Sequence, residues 1–76
     1  MKKQEILQKL SDALQLEYTL DETQQLNTIE EYDSLGLLSL SSLYFENFNL
    51  EIEGQTFKNC NTVADLIELA RDFIEE

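Results

Sequence analysis

The chain has no histidine and no proline, one cysteine, two glycines and five basic residues among 76. Without histidine the usual general base of a nucleophilic serine is missing, and Lys58 is the only lysine beyond the first predicted helix. No catalytic residues and no intrinsic enzyme activity are therefore expected. The lone cysteine, Cys60, excludes an internal disulfide framework and is expected to be a buried, inert thiol. Five bases against 16 acids leave a formal charge of -11, which repels nucleic acid and anionic lipid headgroups. No continuous apolar stretch is long enough for a signal segment or a membrane span, so a soluble, cytoplasmic protein without membrane insertion is expected. Without repeats or a linker, residues 1–76 read as one domain.

A chain of this length buries only about 60% of the surface its unfolded form exposes, which leaves little room for a catalytic cleft with supporting layers. A carrier or binding module fits better. The hydrophobic fraction, 42%, is that of a folded domain and argues against disorder despite the charge.

Ile6, Leu7, Leu10, Ala13 and Leu14 recur at helical intervals and predict a first amphipathic helix over residues 2–16. Residues 17–33 read as a long connection tacked down by Tyr18, Leu20, Leu26 and Ile29. A second helix is predicted from Ser34 to Phe48 or Asn49, with asparagine suited to the left-handed cap. Its apolar residues occupy more than one face, so it is expected to be central or partly exposed. Tyr44, Phe45 and Phe48 are assigned to the core by default. Gly54 marks a turn, and Thr56 to Asn59 has room for a short helical piece. Thr62-Val63-Ala64-Asp65 resembles a helix cap, and Val63, Leu66, Ile67, Ala70, Phe73 and Ile74 predict helix to the C-terminus. No strand pattern of useful length appears. The fold class is all-α, three main helices plus a short additional one.

Asp21, Glu22, Glu30, Glu31 and Asp33 occur between residues 21 and 34 without a base, and Asp65, Glu68, Asp72, Glu75 and Glu76 face only Arg71. The molecule should be strongly negative around the start of the second helix. The acids lack the alternation and central glycine of a calcium-binding loop, so no metal site is expected. A solvated surface facing basic partners is the favoured account.

Ser34 lies at the head of the second helix. On local chemistry alone it reads as an N-cap, stabilising the fold by about 1 kcal/mol. Glu31-Tyr32-Asp33-Ser34-Leu35-Gly36-Leu37-Leu38-Ser39-Leu40 resembles the Asp-Ser-Leu signature of acyl carrier proteins, in its Asp-Ser-Leu-Gly form. The likeness extends over nearly the whole chain. Asp21, Leu26 and Ile29 resemble the long first loop, Phe48 and Ile52 the end of the second helix and beyond, and Thr62-Val63 with Asp65-Leu66-Ile67 the opening of the last helix.

The resemblance implies an acyl-carrier-protein-like four-helix bundle. It also implies a covalent 4'-phosphopantetheine arm on the Ser34 hydroxyl, placed there from coenzyme A by a phosphopantetheinyl transferase with Asp33 assisting. The thiol of such an arm holds an acyl or aminoacyl group as a thioester for delivery to loading and transfer enzymes with basic docking surfaces. The implied protein is a stand-alone monomer. Between Leu35 and Asn49 the only acid is Glu46, whereas the family's second helix usually interleaves several. With Gly36, this favours a specialised pathway over mainstream fatty-acid synthesis. Leu38, Leu43, Phe48, Val63 and Ile67 are expected either to shelter an acyl chain or to form core. Two rival readings are a carrier-like adaptor in which Ser34 is only a cap, and an acidic decoy for a basic nucleic-acid-binding surface.

Overall fold

The computed structural model describes residues 1–75. Glu76, counted above among the C-terminal acids, lies outside them. The described residues form four α-helices, α1 (Lys3–Ala13), α2 (Ser34–Phe48), α3 (Gly54–Lys58) and α4 (Val63–Glu68), with 3-10 turns at Leu26–Thr28 and Arg71–Phe73. Extended pairing among them is limited to two isolated bridges, so the class is all-α.

Helix α1 places Ile6, Leu7 and Leu10 on its buried face. It stops earlier than its periodicity predicts. Gln15 turns left-handed at φ 60, while Gln15 N–H donates to the Asp12 carbonyl at 3.0 Å and Leu16 N–H to Ser11 at 2.9 Å. That pair of bonds closes the helix in a Schellman-type cap without the usual glycine. Leu14 and Leu16 then turn inward, Leu14 fully and Leu16 half-buried.

The connection from 17 to 33 is anchored rather than loose. Leu20, Leu26 and Ile29 are buried as expected, whereas Tyr18 lies half-exposed. The buried Ser11 hydroxyl donates to the Leu7 carbonyl and accepts the Leu20 N–H, each at 2.8 Å, stitching the loop to α1. Farther along, the loop supplies acceptors to the start of α4. Val63 N–H donates to Gln24 at 3.0 Å and Ala64 N–H to Glu22 at 2.9 Å, satisfying two of the amides that a helix start leaves free. Thr62 and Asp65 complete the capping box that their spacing predicts.

Helix α2 has the predicted bounds, ending at left-handed Asn49 with φ 56. Leu40 and Tyr44 have no exposed surface. Tyr44 stacks edge-on against Phe48 and Phe57, with centroids 5.6 and 5.4 Å away, and donates its hydroxyl to the Leu66 carbonyl. It thereby joins α2, α3 and α4 at one point. Phe45 corrects the aromatic assignment, since it points outward and is 50% exposed. Helix α3 starts at Gly54, two residues before the predicted piece, and is pinned by the fully buried Phe57.

The largest departure is α4. It ends at Glu68, and Ala70 leaves helical geometry at φ -125, ψ 27. Phe73 and Ile74 keep the helical spacing but not the helix: Phe73 packs on Phe48 at 5.4 Å and Ile74 is extended. The physical reason is a competing set of backbone bonds. Glu75 N–H donates to Met1 at 2.6 Å, and Lys3 N–H to Glu75 at 3.1 Å, which serves an amide at the head of α1. No helix among the described residues is long and apolar enough to cross a membrane.

Candidate functional site at the start of the second helix

The N-cap of α2 is Asp33, not Ser34. Asp33 is extended at φ -118, ψ -170, and its carboxylate accepts the Gly36 N–H at 3.0 Å. A carboxylate there also meets the positive end of the helix dipole, an advantage serine lacks. The reading of Ser34 as the cap is thus corrected. Ser34 becomes the first residue of α2, exposed, and its hydroxyl has no hydrogen-bond partner among the described residues.

Two residues hold this register. A Cβ added to Gly36 would lie 2.2 Å from the Glu31 carbonyl oxygen and 2.8 Å from Leu14 Cδ2, so the loop backbone crosses the first turn where only glycine fits. Tyr32 donates its hydroxyl to the Phe57 carbonyl at 2.5 Å, fixing the loop against α3. Burial raises the Tyr32 phenol above its ordinary range, with a smaller contribution from Cys60. Sequence reasoning missed both roles, because the partner atoms are backbone carbonyls of other segments.

Ser34 stands between two depressions. One, of about 630 Å³, lies between the loop, α2 and the α3–α4 connection, with Tyr32, Asp33, Leu37, Lys58, Cys60 and Asn61 among its walls. The other, of about 300 Å³, runs between α2 and α3 past Leu38, Ser41 and Lys58. Of the proposed shelter residues, Leu43, Phe48, Val63 and Ile67 are core, whereas Leu38 lines the smaller depression beside Ser34 at 65% exposure. Cys60 is half-buried rather than buried. Burial raises its thiol pKa, the Asp65 carboxylate adds to the shift, and its Sγ lies 3.5 Å from the Thr56 carbonyl.

The acids do not act as one cluster. Asp21 accepts the Thr23 N–H and hydroxyl at 2.9 Å each, bonds that hold its carboxyl below the usual range. Glu22 pairs with Lys3 at 3.1 Å. Glu30, Glu31 and Asp33 remain exposed beside Ser34. Among the described residues, no three His, Cys, Asp or Glu side chains converge as metal ligands would.

On α2, Leu35, Leu38 and Phe45 are 74, 65 and 50% exposed and share the side turned away from the core. Compared with known proteins, the chain matches no family model, no curated protein and no solved structure.

Proposed function

We propose that this chain is an acyl carrier protein with the family's helical bundle, bearing 4'-phosphopantetheine on Ser34. The observation that carries the reading is a serine hydroxyl left exposed, and unpartnered among the described residues, because the neighbouring Asp33 takes the cap. Open surface on both sides of Ser34 suits a long flexible group. When attached, such an arm supplies a thiol that carries an acyl or aminoacyl group as a thioester. The chain's own contribution is presentation: Asp33 caps the turn, Gly36 admits the loop, and Tyr32 fixes the loop to α3.

The reading includes a phosphopantetheinyl transferase and acyl-transfer enzymes with basic docking surfaces as partners, in a specialised cytoplasmic pathway. The exposed carboxylates around Ser34 favour such partners by charge. The leucine and phenylalanine side of α2 favours docking that is partly apolar, which accords with the single acid on that helix.

The same apolar side supports a second reading, a carrier-like adaptor that docks through α2 without an arm. Intact mass after incubation with coenzyme A and a broad-specificity phosphopantetheinyl transferase separates the two. A gain of one arm, absent in Ser34→Ala, is the expected result. A folded, initially unmodified protein that gains nothing would leave the adaptor.

A further inference from the structure

Lys58 is the only lysine beyond α1, and the carrier reading gives it no task. It is the last residue of α3, it is exposed, and it has no carboxylate within 4.0 Å among the described residues. Lys2 and Lys9 are likewise without an ion-pair partner among the described residues, whereas Lys3 and Arg71 are paired with Glu22 and Glu68. Lys58 and Ser34 also line the same two depressions. Across both, Lys58 is the only base and Asp33 the only acid among the described residues, and the Asp33 carboxylate is engaged by the Gly36 N–H.

We propose that Lys58 is the positioning residue for the phosphate on Ser34, its ammonium closing α3 against the first turn of α2 once the arm is attached. The inference rests on the carrier reading. The Phe57 side chain is buried and its carbonyl is held by Tyr32, so the backbone beside Lys58 is already fixed relative to Asp33. Only the flexible lysine stem has to move. A phosphodiester offers anionic acceptors and an ammonium three donors, a pairing stronger than a neutral hydrogen bond. It would also offset the repulsion that Glu30, Glu31 and Asp33 impose on a new negative charge.

The test compares unmodified and arm-bearing protein, with attachment confirmed by intact mass. Amide hydrogen exchange over residues 56–59 and the phosphorus resonance of the arm are followed in wild type, Lys58→Gln and Lys58→Arg. In wild type at low salt the arm should slow exchange in α3 by about two- to fivefold, the range open to an exposed ion pair. High salt should weaken the effect, Lys58→Gln should abolish it, and Lys58→Arg should keep it. The phosphorus resonance should differ between wild type and Lys58→Gln. Equal slowing in Lys58→Gln, or none in wild type that carries the arm, would overturn this inference alone. Wild type that takes no arm would remove the carrier reading and this inference with it.

Discussion

At the residue scale, Asp33 and Ser34 divide between them what a single capping serine would do. Asp33 commits its carboxylate to the Gly36 N–H, and Ser34 is left with a hydroxyl that no group among the described residues uses. This division makes a prediction about stability that is independent of any prosthetic group. Asp33→Ala removes a cap and should cost about 1 kcal/mol, or roughly 4–8 °C in melting temperature for a domain of this size. Ser34→Ala should lie within about 0.5 kcal/mol of wild type, as for a surface change that breaks no bond. Thermal unfolding of the two variants decides it, and a larger loss in Ser34→Ala would return the cap to the serine. The motif around Ser34 was legible in the sequence, since acid, serine and an apolar run lie side by side. Which of two adjacent residues caps was not, because Asp and Ser rank almost equally there. Ser11 was illegible for a different reason: its hydroxyl serves the Leu20 N–H, and the approach of that amide carries no periodic signal.

At the scale of elements, boundaries were legible where side chains set them and hidden where backbone did. Helix α2 is flanked by Asp33 and Asn49, residues suited to the conformations they adopt, so both bounds were plain even though the capping residue at its start was not. Helix α4 announced its start through Thr62 and Asp65 but not its end. The apolar spacing continues through Phe73 and Ile74 while the hydrogen bonds pass to Met1 and Lys3. Helix α1 is closed two residues past its last turn by Gln15, a residue poorly suited to φ 60. A left-handed conformation costs an L-residue about 1–2 kcal/mol, part of which glycine recovers against its greater freedom when unfolded. Gln15→Gly should therefore stabilise the protein by up to about 1 kcal/mol, raising its melting temperature by a few degrees. An unchanged or lower melting temperature would place the end of α1 elsewhere.

Across the whole molecule, charge works against compactness. Sixteen acids and five bases share a small surface, and only two ion pairs form among the described residues. Added salt should raise the melting temperature by screening this repulsion. Mild acid should raise it slightly as well, until specific bonds are lost. Asp21 and Asp65 have carboxyls held below their ordinary value of 3.8, chiefly by backbone hydrogen bonds. A depressed folded-state pKa contributes stability that is present above the unfolded value and disappears as pH falls through the folded one. Melting temperature should thus be highest at mildly acidic pH and decline below about pH 4. A steady fall from neutrality would mean that the repulsion is negligible. Net charge was plain from composition, but its distribution was not. Asp21 and Glu22 were grouped with Glu30, Glu31 and Asp33 by proximity in sequence, yet the fold commits the first two to Thr23 and Lys3.

The contact between Gly36 and the Glu31 carbonyl reaches further than its size suggests. The missing methyl group works as a depth stop, deciding how closely the incoming strand of loop can settle on the helix. With the loop seated this deep, Asp33 meets the open amides and its neighbour is turned toward solvent. A larger side chain at position 36 would lift the loop and blur that choice. The outward hydroxyl of Ser34 is in this sense secured two positions away, by the one residue that has nothing to put in the gap.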